Sequence, residues 1–437
     1  GETFMKRDAM QKLIEWKNSK LRKPLIVNGA MGVGKTWLMK QFGEDNYSKV
    51  AYISFHGNDR AKAIFDNGFD IKRIILSLQI ESKVTIAPED TLIILDDIHE
   101  CPKTLEALKY FCENAPEYHV IVAGSQLGLS VKTGISYPVG KVNLLYLYPL
   151  SFKEFLQAIG EDPLSQALDS NDYSVIDIFA DKYLFNLKNY LYVGGMPKVV
   201  NSFVKEHDYD RVRALQESII EKIKADFKQY FHVNTLFKLN LVFDFIALQL
   251  SKENKKFIFS KLKKGARACD FENSIEWLVS SGLVYKVSKV SEPFLPLVAY
   301  KDFYAYKLFL LDVGLLGAMI GVDPVSIIED NQIFSSFNGS LAEQYVLQEL
   351  KAQTTYIPYY FSTRTARYEQ DFLLQIENKV VPVEVKISSN LNSPRLKAFY
   401  DKFHPEKSIR FSALPFKEKG WMCNYPMYAV CNLSQTS

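Results

Sequence analysis

Cysteine is scarce and unpaired in this chain of 437 residues: Cys101, Cys112, Cys269, Cys423 and Cys431 are widely spaced and form no Cys-x-x-Cys pair. A disulfide framework or a zinc knuckle needs closer, matched sets, so the sequence predicts neither and suits a reducing compartment. The six histidines show no metal-ligand spacing either. Net charge is only +3, too little to select a partner, so any basic footprint has to be local. Long apolar runs are missing too. Those at 142–152 and 313–322 are too short to span a bilayer. No N-terminal stretch joins a basic segment, an apolar core and a small-residue cleavage site. These absences predict a soluble cytoplasmic protein with no membrane partner.

What is present is globular material. Hydrophobic residues make up 47% and charged residues 24%, which excludes the disordered class. The aromatic share of 14% allows large buried cores. The length exceeds one core of usual size and predicts roughly two to four domains.

Residues 24–42, PLIVNGAMGVGKTWLMKQF, read as strand, glycine loop and helix. Gly29, Gly34, Lys35 and Thr36 keep the G-x4-G-K-T spacing, with Gly32 between the outer glycines. In such a loop backbone N–H groups wrap phosphates, the lysine reaches the β- and γ-phosphates, and the hydroxyl ligates Mg²⁺. A chance glycine turn before a helix is the bland alternative. The apolar strand before it and the amphipathic helix after it favour an ATP site. Strand-like runs at 50–55, 92–96, 119–124 and 142–147, with helical stretches such as 104–114 between them, predict a doubly wound parallel sheet. LIILDD, residues 92–97, carries four apolar residues into two carboxylates, as a buried strand does when it delivers acids to the ligand-binding edge. Asp96 is the expected Mg²⁺-side carboxylate and Asp97 the group that polarises the attacking water. The pair could instead cap the next turn. Ser125, ending VIVAGS, is placed to contact the γ-phosphate or that water, or serves as a turn residue.

From residue 149 a long helical region runs to about 247, broken by Gly194-Gly195-Met196-Pro197. Phe271, Ile275, Leu278 and Val279 then keep helical spacing, and Ser281-Gly282 ends that helix. LVYKV follows as a strand and apolar residues resume at 295–300, the helix, helix, hairpin order of a winged helix. Between Lys252 and Arg267 stand seven basic residues and one acid, Glu253. This is where DNA phosphates would be held, or else a solvated face. Reversing Lys261, Lys263 and Lys264 to Glu separates the two by weakening DNA retention or leaving it unchanged.

NGSLAEQYVLQEL, residues 338–350, predicts a helix with Leu341, Tyr345, Val346 and Leu350 on its apolar side. Its Glu343 completes a Ser340-x-x-Glu343 capping box. Downstream, RYEQDFLLQIENKVVPVEVKIS reads as a β-hairpin, with Asp371 at the mouth of one strand and Glu384 and Lys386 on the other. Residues two apart share a face of a strand, so Glu384 and Lys386 emerge side by side. The set is either a solvated hairpin edge or a PD-(D/E)xK nuclease site. In the latter, Asp371 and Glu384, with Glu343, hold Mg²⁺ that clamps a phosphodiester and activates water, while Lys386 offsets charge in the transition state. Arg364 and Arg367 could contact the DNA backbone. The ordered set of four favours the nuclease site.

GAMGVGKTWLMKQFG, TLIILDDIHECP, LKYFCENAPEYHVIVAGS, SYPVGKVNLLYLYPLSFKEFL and YLYVGGMPKVV together resemble bacterial and archaeal AAA-type ATPases that carry a C-terminal restriction-endonuclease-like domain. The resemblance runs over nearly the whole chain and implies an α/β architecture. It divides into an AAA-type domain at 1–155, a helical linker and winged helix at 156–325, and a PD-(D/E)xK nuclease-like domain at 326–437. Relatives often read Glu-Val-Asp-Phe where this chain has YEQDFLL, and VPVEVK matches directly. Two departures stand out. Asp97 replaces a more usual Glu, and Gly140-Lys141 stands where many relatives have Gly-Arg, a point charge in place of a planar one. Together they imply ATP binding with slow hydrolysis. The expected cofactors are ATP and Mg²⁺, and the expected partners are ATP, DNA and a possible second copy of the chain. Two roles remain open: an ATP-regulated DNA-processing nuclease, or a nucleotide-dependent switch that binds DNA or protein without cutting. A ring-forming remodeller needs an arginine across a subunit interface, and the sequence identifies none.

Overall fold

The computed structural model describes residues 5–124, 138–251, 256–262, 267–325, 339–363, 365–387 and 392–435. The chain divides into two compact units, one built on residues 6–148 and 277–283, the other on 149–276 and 284–437.

In the first unit β1 (Leu25–Asn28), β2 (Lys49–Ser54), β3 (Thr91–Asp96), β4 (His119–Gly124) and β5 (Asn143–Tyr146) form a parallel sheet in the order β2-β3-β4-β1-β5. Helices α1 (Ala9–Asn18), α2 (Lys35–Asn46), α3 (Asp59–Ala63), α4 (Ile71–Ser82) and α5 (Lys103–Asn114) accompany it. Every residue of β3 and β4 is buried, which is why both read as near-continuous apolar runs. Ile53, Ile93, Leu95, Leu108, Phe111, Val120 and Val122 join one core. Each such side chain contributes about 1.5–3 kcal/mol relative to exposure. Because β1 lies between β4 and β5, the loop leaving β1 opens at the carboxyl edge of the sheet, where such folds bind ligands.

The second unit begins with α6 (Phe152–Ala158), α7 (Asp162–Ser170), α8 (Tyr173–Ile176), α9 (Ala180–Val193), α10 (Pro197–Glu206), α11 (Tyr209–Tyr230) and α12 (Val233–Leu250). A capping box of Ser151 and Glu154 starts α6. By length and composition α12 is apolar enough to cross a membrane, with a mean hydropathy of 1.3, yet 44% of it is buried in the protein, including Leu239, Val242, Phe243 and Ile246. After α13 (Ala268–Ser280) an eight-stranded mixed sheet takes the order β12-β13-β11-β10-β9-β8-β6-β7. Its strands are β6 (Val284–Val290), β7 (Lys301–Leu310), β8 (Tyr359–Phe361), β9 (Gln370–Ile376), β10 (Lys379–Val385), β11 (Ile409–Ser412), β12 (Lys417–Lys419) and β13 (Met422–Pro426). Helices α14 (Val313–Ile320), α15 (Ser340–Gln353) and α16 (Pro394–Phe403) complete the unit.

The hairpin read as the wing departs from expectation twice. Its second strand is not at 295–300, where Leu297–Tyr300 forms a 3-10 turn, but at Lys301–Leu310. Nor is it a free-standing wing. The other edge of β6 pairs in parallel with β8, through Lys289 opposite Tyr360 and Val290 opposite Phe361, so the hairpin extends the C-terminal sheet. An unpaired strand edge is a liability, and β8 removes it. In the basic segment Lys261 ends a short 3-10 turn and is exposed, whereas Lys252, Lys263 and Lys264 lie outside the described residues.

Two of the chain's punctuation marks share one carboxylate. Asp312 caps α14 by accepting from Leu315 N (3.0 Å) and accepts from Gly195 N (2.7 Å), in the Gly-Gly-Met-Pro break between α9 and α10. Burial pushes its pKa up to about 6 against these hydrogen bonds. Helix α15 is buried from Ser340 to Leu350, so its polar residues are internal ties. Gln344 bonds both the N and O of Leu310 (3.0 and 2.6 Å), Gln348 accepts from Val313 N (2.9 Å), and Glu349 accepts from Phe152 N (2.8 Å). Each spares a buried backbone group a desolvation cost of about 1–3 kcal/mol.

Candidate functional site

The glycine loop joins β1 to α2 as its spacing predicts. Gly29 is required by crowding: a Cβ there would stand 2.4 Å from Leu147 O, where β5 leaves the sheet. Gly34 is the residue before α2 and takes φ 94°, a left-handed conformation that favours glycine; Gly32 also has positive φ. Lys35 is buried and donates to Gly29 O and Ala30 O, each at 2.8 Å. Burial lowers its pKa to about 8, opposed by the charges of Asp96 and Asp97.

The two acids stand where β3 ends. Asp96 is 3% exposed and accepts from Thr36 Oγ1 at 2.6 Å and Tyr52 OH at 3.2 Å. A hydroxyl and a carboxylate in contact beside a phosphate loop are the oxygen donors that Mg²⁺ takes, so the residues fit the ion. Asp97 adopts φ 58°, ψ 38°, which costs a non-glycine residue about 1–2 kcal/mol. Its Oδ2 accepts from Ser54 Oγ at 2.8 Å. Ser125 lies outside the described residues. Lys141 is engaged elsewhere: its ammonium is 2.9 Å from Glu113 Oε1, at the end of α5.

Sequence reasoning missed four residues here. Tyr52 and Ser54 alternate along β2, and the register sets Ser54 opposite Asp96, so the strand's period of two held the signal. Lys40 lies over the Tyr52 ring at 3.8 Å. Arg7 is buried and donates to Val33 O (3.0 Å) and Tyr148 O (2.7 Å), tying the glycine loop to the exit of β5. Nothing in the local pattern around Arg7 announces that.

In the second unit the hairpin forms as β9 and β10, antiparallel, with Phe372 opposite Val383. Alternation then sets Asp371 and Glu384 on the same face. Asp371 Oδ2 accepts from Val385 N at 2.8 Å, and Lys386 Nζ donates to Asn392 O at 2.9 Å. Glu384 is 9% exposed, and its Oε2 has no hydrogen-bond partner among the described residues. Glu343 does not join this pair. Gly339, not Ser340, is the residue that precedes α15. The Glu343 carboxylate is 5% exposed and 3.7 Å from Lys307 Nζ, on β7. Among the described residues no three His, Cys, Asp or Glu side chains converge on a metal position. Of the two or three carboxylates expected to hold the metal, Asp371 and Glu384 are the two that the strand register sets together. Two carboxylates, one with an orphaned buried oxygen, still suit a single Mg²⁺, which keeps several waters.

A cation missed by sequence completes the picture. Arg410 is fully buried and stands opposite Glu384 on the parallel neighbour β11. Its Nη1 donates to Ser393 Oγ at 3.2 Å, just before α16. Burial lowers its pKa while Glu384 acts to hold it up.

Comparison with known proteins agrees with the first unit. Residues 21–156 match the family described as AAA domain, 184–326 match a domain of unknown function (DUF8612), and 338–420 match another domain of unknown function (DUF4143). No curated protein matches the chain. A Walker-type ATPase of Pyrococcus abyssi is similar at 12% identity and TM-score 0.43, covering 72% of this chain and 96% of its own. The ORC1 protein of Aeropyrum pernix, solved with DNA, is similar at 11% identity and TM-score 0.31, covering 75% and 96%. The RuvB Holliday junction branch migration motor of Thermotoga maritima is similar at 14% and 0.30, covering 64% and 90%. Likeness this remote says nothing of activity.

Proposed function

We propose that this chain, whose first unit is an AAA-type P-loop ATPase domain, binds ATP·Mg²⁺ and hydrolyses it slowly to govern a DNA-cleaving site in its second unit. The observation that carries the nucleotide half is the contact of Thr36 with Asp96 beside the buried Lys35. Lys35 would exchange two loop carbonyls for phosphate oxygens, and Thr36 and Asp96 would hold the ion. Asp97 would orient the water once released from Ser54. Slow turnover follows from two features. Asp97 is one methylene shorter than Glu, and Lys141 is held by Glu113. For the second half, Asp371 and Glu384 would share one Mg²⁺ that polarises the scissile phosphate, with Lys386 beside them. DNA would be held through the basic stretch that includes Lys261.

Steady-state ATP turnover beside ATP affinity tests the first half. Tight binding with turnover far below that of motor ATPases is expected; motor-like turnover would sink it. A second reading, a switch that binds DNA or a partner without cutting, is favoured by one observation, the buried Lys307 ammonium 3.7 Å from the Glu343 carboxylate.

A further inference from the structure

Resting on the reading of Asp371 and Glu384 as a metal site, we infer that Arg410 occupies the place of a second cation and limits this pair to one divalent ion. The argument starts from burial. Arg410 is 0% exposed, so its guanidinium is placed by the fold and does not wander in solvent. It is the register partner of Glu384 on a parallel neighbour, and adjacent strands lie about 5 Å apart. Ser393, itself buried, holds Nη1 from the other side.

The charge count then decides the occupancy. Asp371 and Glu384 supply two negative charges, and Arg410 returns one positive charge. Lys386 is tethered next door to Asn392 O and adds a second. These four groups are neutral together before any ion binds, so a first divalent ion leaves the site at +2 and a second would leave it at +4 beside a guanidinium that cannot deprotonate. Glu384 Oε2, buried and without a hydrogen-bond partner among the described residues, is the oxygen left over for that ion. A two-metal site would instead need a third carboxylate, and among the described residues no third His, Cys, Asp or Glu side chain joins this pair. Arg410 is in this sense a positioning residue: its buried charge beside Glu384 fixes how much metal the site takes.

The test is Mn²⁺ binding to the full chain without nucleotide, in a Thr36→Ala background that removes the ion's ligand at the glycine loop. One Mn²⁺ is expected, lost in Glu384→Gln. Arg410→Met should bind a second Mn²⁺ or bind the first at least about tenfold tighter, and Arg410→Lys should keep one. Two Mn²⁺ in the parent, or Mn²⁺ binding in folded Arg410→Met identical to the parent, would overturn the inference and leave the metal reading standing. No Mn²⁺ in either protein, with both folded, would overturn both. Binding by Arg410→Met alone would show that Arg410 replaces the only ion, which also overturns the inference as stated. Should Arg410→Met fail to fold, Arg410→Gln, which removes the charge but keeps a donor for Ser393, is read by the same outcomes.

Discussion

Lys35 carries the most specific consequence at the scale of single residues. With its pKa lowered to about 8, it is partly neutral in mildly alkaline solution, and anionic phosphates would raise that pKa again. Binding therefore takes up protons above about pH 8, and ATP affinity should fall as pH rises through that window. Calorimetry in buffers of different ionisation enthalpy reads the uptake directly; affinity flat from pH 7 to 10 would refute it. Asp97→Ala should lower ATP turnover by about 10²–10⁴-fold with ATP affinity little changed. Equal loss of binding and turnover would make Asp97 a scaffold residue. The identities of Lys35, Thr36, Asp96 and Asp97 were legible because phosphate-loop chemistry needs fixed residue types at fixed spacing. Their partners were not. Ser54 and Tyr52 arrive from a strand some forty residues upstream of Asp96, and Arg7 from before the first strand.

Among elements, the sharpest case is the joint made by Asp312, Gly195 and the start of α14. A carboxyl whose folded-state pKa is raised charges more easily in the unfolded chain. Its contribution to stability therefore falls as pH rises from about 4 through about 6, by about 3 kcal/mol at most. Asp312→Asn should flatten Tm against pH across that window. A slope equal to that of the parent would assign the pH dependence to other groups. Strands were legible where the sequence runs apolar, as in β3 and β4, buried throughout, and in β9 and β10, buried over most of their length. The wing was misjudged because pairing of β6 with β8 joins strands some seventy residues apart, and no local pattern encodes that. Lys307, the cation near Glu343, was hidden for a similar reason: it comes from β7.

For the whole molecule, the account rests on two compact units with different chemistry, a phosphate loop in one and a carboxylate pair with Arg410 in the other. Reversing Lys261, Lys263 and Lys264 to Glu should weaken DNA retention and flatten its salt dependence, since each lost phosphate contact removes about one unit of the salt slope. Unchanged retention would move DNA to another surface. The decisive measurement is cleavage of supercoiled, linear and single-stranded DNA with Mg²⁺ or Mn²⁺, with and without ATP, by the natural chain and by Glu384→Ala. The account predicts metal-dependent cutting that responds to ATP and vanishes in Glu384→Ala. No cutting by either protein, with ATP binding intact, would contradict it and leave a nucleotide-dependent switch.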